Sequence, residues 1–268
     1  EAQAKTRASI PSSTPEMETA QEKEVHNIWV FQYDAATKEL LIKPRYYTIT
    51  DQAMLQELPV YLKAGVPSLV YAVTNTGYDN WANDGTDASW QKFKDLEQLK
   101  KQTLPTAFPL RSIDKVSIPM AGASGQVEVT TGITVTVPVT RMYAKLKVKV
   151  EMLKEEMKLN NVNVRQIPNI CRVETFAGDG NGEPMDAVPF PDGTTFSSIA
   201  FAASDLEKNE DKEWAVFYVP ENLQGEIETQ GGNKSDAAPS NALVVDVTTE
   251  IGGERYLYAA YPGGNSFN

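Results

Sequence analysis

The chain has 268 residues, enough for one large domain or two of medium size. Its 25 Lys and Arg stand against 36 Asp and Glu, a net charge of -11 that repels phosphate backbones and anionic lipid and argues against nucleic acid as a partner. One cysteine, Cys171, and one histidine, His26, exclude an internal disulfide, a Cys/His zinc site and a redox pair, and no run of about 18 apolar residues is present to span a bilayer as a helix.

Glu1 opens the chain without Met or an apolar leader, so any export signal is expected to have been removed or to lie outside this stretch. From Glu1 to Glu24 the only large aliphatic side chain is Ile10, amid Ser, Thr, Pro, Gln and Glu. Such a composition cannot offset the entropy of ordering and predicts a flexible segment over 1–24. Within it lies a basic site, Lys5-Thr6-Arg7-Ala8.

Order is expected from Val25. His26 to Tyr33 is β-branched and aromatic, and Asp34 to Lys38 reads as a turn into Leu40-Leu41-Ile42, a hairpin. Leu58 to Leu62 and Ser68 to Thr74 flank Lys63-Ala64-Gly65-Val66-Pro67, whose Gly and Pro suggest a second strand pair. From Asp87 to Lys101 the period changes: Trp90, Phe93, Leu96 and Leu99 recur every three residues, with Asp87 placed to cap and Glu97 four before Lys101, predicting one amphipathic helix.

The stretch from Gly132 to Met152 is the most informative. Ile133, Val135, Val137 and Val139 occupy odd positions, whereas Leu146, Val148, Val150 and Met152 occupy even ones. A one-residue slip exchanges the two faces of a strand, so this phase change demands a bulge, a corner or a change of sheet. Pro138, which cannot donate to a ladder, immediately precedes it. A domain crossover is therefore expected near Thr140-Arg141. Further strands are expected at Leu159 to Ile167, Trp214 to Val219, Leu243 to Val247 and Tyr256 to Tyr261, with loops at 178–195 and Gln230 to Asp236. Short strands between Gly, Pro and Asn turns, with a single helix, describe a mainly β chain of two sandwiches, one over 25–140 and one over 141–268. A further strand is expected beyond Asn268.

No catalytic constellation stands out. His26 opens a strand and has no rival, so a Ser-His-Asp arrangement has no specific support. Asp179-Gly180-Asn181-Gly182-Glu183 begins like a calcium loop, but Pro184 and Phe190 occupy the positions where an EF-hand needs Gly and Glu. Asn83 to Asp87 reads as a turn. No carboxylate pair is singled out by spacing for acid/base hydrolysis. Tyr78 and Trp81 lie in a polar loop and suit either stacking on a sugar or packing into the core. Cys171, between Ile170 and Arg172, reads as a small buried hydrophobe.

Six segments in order resemble the Bacteroidia-type fimbrillins, the pilin subunits of type V pili and their relatives among surface lipoproteins. They are Ile28 to Asp34, Val70 to Asn75, Ile118-Pro119-Met120-Ala121-Gly122, Val137-Pro138-Val139-Thr140-Arg141-Met142-Tyr143-Ala144-Lys145-Leu146, Phe217 to Gly225, and Tyr261-Pro262-Gly263-Gly264-Asn265. The resemblance implies two tandem transthyretin-like β-sandwich domains, one short helix in the first, and no catalytic residue, metal or cofactor. It implies export as an outer membrane lipoprotein, cleavage by a trypsin-like protease after an N-terminal Arg, loss of the first strand, and its replacement by a strand donated by another subunit of a cell-surface fimbria. Carried onto this chain, the cut falls at Arg7-Ala8. Glu1 to Thr6 show no strand-like alternation, so the lost strand is expected upstream of Glu1 or absent. The alternative within the same system is a tip adhesin or anchor subunit that binds host or microbial glycans, with Tyr78 and Trp81 as contacts.

Overall fold

A computed structural model of the chain describes residues 2–9, 21–77, 81, 89–106, 118–150, 155–174, 188–205, 207–209, 212–222 and 241–260. Tyr78, Asn83 to Asp87, Asp179 to Glu183, Gln230 to Asp236 and Tyr261 to Asn268 lie outside these residues. The described chain forms two compact units. The first takes residues up to 104, then 118–143 and 172–174; the second takes 105–106, 144–171 and the described residues from 188 onward. One of the boundaries between the two units falls between Tyr143 and Ala144.

Unit one contains β1 (Ala2–Ser9), β2 (Asn27–Asp34), β3 (Arg45–Thr48), β4 (Leu58–Leu62), β5 (Pro67–Thr74), α1 (Leu96–Lys100), β7 (Met120–Ala123), β8 (Val127–Glu128), β9 (Thr134–Pro138) and β10 (Thr140–Arg141). One sheet has the order β4-β1-β9; the other runs β10-β7-β5-β2-β3, with β8 beside β5. Two further short strands are β6 (Thr103–Pro105) and β13 (Ile170–Arg172).

Strand periodicity builds the core between these two sheets. Leu58, Val60 and Leu62 of β4 and Val135 and Val137 of β9 meet Ile28 and Val30 of β2, Val70 and Ala72 of β5, and Met120 of β7 in one cluster. The alternate residues of β2, namely Trp29, Phe31 and Tyr33, are also buried, and they pack under a second aromatic layer. Phe93 lies 5.2 Å from Phe31 and 5.1 Å from Trp81 between ring centroids. With both faces covered, β2 reads as a continuous apolar run instead of an alternation. The one polar residue inside that run, Gln32, is fully buried and fully engaged: Nε2 donates to the Lys63 carbonyl (2.8 Å) and to Ser68 Oγ (2.9 Å), and Oε1 accepts from the Lys63 N–H (2.7 Å).

Four expectations are corrected here. The segment 1–24 is not flexible throughout, since Ala2–Ser9 is the middle strand of a sheet. Leu58 to Leu62 and Ser68 to Thr74 are not a hairpin: they belong to different sheets, and the turn at Gly65 (φ +74°) carries the chain between the two layers. The residue paired with β2 after its turn is a single bridge, Tyr33 to Leu40, and the returning strand begins only at Arg45. The helix is one short stretch, Leu96–Lys100, capped by Asp95, whose carboxylate accepts from the Gln98 N–H at 2.8 Å; the Trp90 and Phe93 portion is a separate 3-10 turn, Ser89–Phe93.

The phase change is a change of sheet. β9 ends at Pro138 in the three-stranded layer and β10, two residues later, pairs with β7 in the other (Thr140 to Ala121, Arg141 to Met120). The crossing chain passes directly over Gly122, where an added Cβ would stand 1.9 Å from the Pro138 carbonyl oxygen. Only a residue without a side chain fits under that crossing.

Unit two contains β11 (Tyr143–Val150), β12 (Lys158–Pro168), β14 (Phe196–Ala202), β15 (Glu207–Asn209), β16 (Lys212–Pro220), β17 (Val244–Ile251) and β18 (Glu254–Ala260). Its sheets are β11-β16-β15 and β14-β12-β17-β18. Val162, Val164 and Ile167 of β12, Phe201 of β14 and Val245 of β17 are buried, and Phe201 meets Phe217 of the other sheet at 5.4 Å between centroids. Arg165 forms a two-pronged ion pair with the buried Asp246 on the neighbouring strand.

Candidate functional site

The N-terminal strand is the feature with functional content. β1 runs antiparallel to β4, setting Ala2, Ala4 and Thr6 opposite Leu62, Val60 and Leu58. On its other side it runs parallel to β9, from Lys5 opposite Thr134 to Ser9 opposite Pro138. Only Lys5 and Thr6 are paired on both sides. Ala2 to Ala4 are held by β4 alone, and Arg7 to Ser9 by β9 alone, because β4 begins at Leu58 opposite Thr6. The Arg7-Ala8 bond therefore lies in the strand, just past the end of its β4 partner.

β1 is poor in apolar bulk. Its sequence, AQAKTRAS, contains no large aliphatic residue, whereas the strands beside it supply Leu58, Val60, Leu62, Val135 and Val137 to the core. An Ala position contributes less than a Val or Leu by about 0.8 kcal/mol per buried methylene. Withdrawing β1 would separate β4 from β9 and leave each with an unpaired backbone edge above an apolar floor.

The structure does not bring the other candidates to this strand. Trp81 is 7% exposed and sits edge-on to Phe31 (6.1 Å) and against Phe93, in the aromatic layer over the larger sheet. Its expected role as a glycan contact is corrected: the indole has no free face because it completes a core. His26 is half exposed and lies 3.5 Å from Glu24. Cys171 is buried. Among the described residues no three His, Cys, Asp or Glu side chains converge as a metal site would require. Burial pushes the phenols of Tyr33 and Tyr71 well above their ordinary range, and Tyr33 Oη donates to the Phe93 carbonyl at 3.1 Å, tying the aromatic layer to β2.

The fold is similar to that of solved structures. The tip fimbrial protein Mfa3 from Porphyromonas gingivalis, with a C-terminal truncation, matches with a TM-score of 0.59 at 15% identity, over 99% of this chain and 85% of that one. The chain has the fold of fimbrial proteins. A fimbrial assembly protein from Parabacteroides distasonis matches with a TM-score of 0.54 at 15% identity, over 99% and 86% of the two chains. In sequence, a domain of unknown function (DUF4906) matches residues 217–268, and no curated protein matches.

Proposed function

We propose that the chain is a structural subunit of a cell-surface fimbria, built from two tandem transthyretin-like sandwiches, whose β1 is removed by cleavage at Arg7-Ala8 and replaced by a strand from another subunit. The observation that carries this reading is the placement of the basic site inside a small-residue strand that separates β4 from β9. A donor strand bearing Val, Leu or Ile would restore the same backbone pairing and add apolar burial, so exchange runs downhill once β1 is cut. Arg7 to Ser9, paired on one side only, offer an extended edge to a protease, which binds its substrate as a strand. In this reading the precursor reaches the outer membrane as a lipoprotein, its partners are other pilus subunits, and no catalysis is involved.

The test is limited trypsin digestion of the intact chain with N-terminal sequencing and amide hydrogen exchange. The expected result is a new N terminus at Ala8 and faster exchange in Leu58 to Leu62 and Thr134 to Pro138 once the released peptide is removed. Cleavage elsewhere, or unchanged exchange in both strands, overturns the reading.

The fold shared with a tip protein favours a second position in the same system, at the fimbrial tip. A subunit that accepts a strand but lacks an apolar donor strand of its own would cap the polymer, and the sequence downstream of Asn268 distinguishes the two positions.

A further inference from the structure

β18 (Glu254–Ala260) is an outer strand of the sheet β14-β12-β17-β18, and all seven of its residues are exposed, the two alanines included. Tyr256, Leu257 and Tyr258 are 40%, 65% and 51% exposed. Successive side chains of a strand point to opposite faces, so apolar surface stands open on both sides of β18.

The other outer strands of the described sheets are defended against pairing. β10, β15 and β3 have two, three and four residues. β4 contains Pro59, β9 ends at Pro138, and β11 carries Lys145, Lys147 and Lys149. The pairing of β14 with β12 shifts register between Val164 and Ile167. Shortness, proline, lysine and bulges are means by which a sheet edge refuses a partner. β18 has no proline and no lysine, and it pairs with β17 without a shift from Glu254 opposite Ile251 to Ala260 opposite Val245. Its one acid, Glu254, is engaged along its own strand, accepting from Tyr256 Oη at 2.9 Å.

The sequence of β18 is matched to itself. Glu-Arg-Tyr-Leu-Tyr-Ala-Ala has Leu257 at its midpoint and a tyrosine on either side. When two such strands pair antiparallel about a two-fold axis, the register that uses all seven residues sets Leu257 against Leu257 of the second copy and each Tyr256 against a Tyr258. The same register sets Arg255 opposite Ala259 and Glu254 opposite Ala260, so no charge meets its like and each long side chain lies over a small one. Copies of net charge -11 repel each other at a distance, but β18, with one acid and one base, is locally neutral. We propose that β18 pairs with β18 of a second copy of this chain, joining two four-stranded sheets into one. The pairing needs neither cleavage nor a donor strand, since β1 and β18 belong to different units.

The test is sedimentation of the uncut chain between about 5 and about 500 µM. The expected result is a reversible dimer with a Kd between about 10 and about 500 µM, as suits an interface below standard size. Leu257→Lys sets like charges together at the axis and should weaken the dimer by about tenfold or more, as should Leu257→Glu, whereas an equimolar mixture of the two recovers it. The position is exposed, so both variants should keep the circular dichroism spectrum of wild type. Under mild oxidation Leu257→Cys should give a disulfide-linked dimer, because facing Cα atoms stand about 4.5–5.5 Å apart. Arg255→Cys should not, since its two copies lie four residues, about 13 Å, from one another. A chain still monomeric at about 500 µM, a dimer that survives Leu257→Lys, no recovery in the mixture, or equal cross-linking through Arg255→Cys overturns the proposal. So does a complete precursor that stays monomeric where this chain pairs, which would mean that a segment of the same chain covers β18.

Discussion

Replacing Gly122 by alanine tests the way in which the chain changes sheets. The new Cβ would lie 1.9 Å from the Pro138 carbonyl oxygen, 2.9 Å from its carbon and 3.0 Å from Val139 Cα, all backbone atoms. A carbon and an oxygen settle at about 3.3 Å, so the crossing chain must retreat by about 1.4 Å. It has little freedom to do so. Pro138 is paired with Ser9 of β1 on one side, and two residues later Thr140 is paired with Ala121 of β7. Overpacking a well-filled site costs about 1–3 kcal/mol, and with no flexible side chain to yield, the upper end applies. For a unit of this size about 3 kcal/mol corresponds to a fall in Tm of roughly 10 °C. Gly125→Ala is the matched control, because nothing lies within 4 Å of the added carbon there. Thermal unfolding followed by circular dichroism should separate the two variants. If Gly122→Ala melts with wild type and Gly125→Ala, the crossing does not pass over β7 as described.

Three further outcomes are expected. Trp81→Ala removes a 7% exposed indole from the layer over Phe31 and Phe93 and should cost about 3–5 kcal/mol in urea unfolding; an unchanged midpoint would return Trp81 to the surface. Gln32→Leu leaves the Lys63 N–H and carbonyl without their buried partner and should destabilise by about 2–4 kcal/mol in urea unfolding; an unchanged midpoint would mean that the amide does not hold Lys63. The phenols of Tyr33 and Tyr71 are held above the value of about 10 that they have when unfolded. Their raised pKa contributes stability that is complete below about pH 10 and is lost as pH rises above it, because only the unfolded chain then releases the proton easily. Urea midpoints at about pH 9 and about pH 11 should diverge in wild type, and less in a Tyr33→Phe, Tyr71→Phe variant; equal divergence would mean that neither phenol is buried.

How much was legible in the sequence depended on which side chains carried the pattern. β2 was visible because aromatic and β-branched residues crowd both faces, and β9 because Val135 and Val137 alternate with threonines. The sheet change was readable from the phase slip at Val139 and from Pro138, although Gly122, which makes room for the crossing, gave no local signal because its need arises from a residue 16 positions away. The strand that matters most was missed. In Ala2-Gln3-Ala4-Lys5-Thr6-Arg7-Ala8 no large apolar side chain marks a buried face, so the segment reads as a polar tail. What orders it is the pair of open edges offered by β4 and β9, and such edges are tertiary information. Gly65 and Pro67 signalled a turn correctly, but a turn chemistry that serves a hairpin serves equally a connection between layers, and only the pairing of β4 with β1 decides between them.

The most direct test of the account is assembly of the complete precursor after cleavage. Wild type and Arg7→Ala are treated with trypsin at equal concentration, and the products are followed by size-exclusion chromatography and electron microscopy. The account predicts fimbria-like polymers from wild type alone, with Ala8 at their N terminus and the β1 residues up to Arg7 absent from them. Wild type that loses β1 yet stays monomeric, or polymers from Arg7→Ala that retain β1, would contradict it.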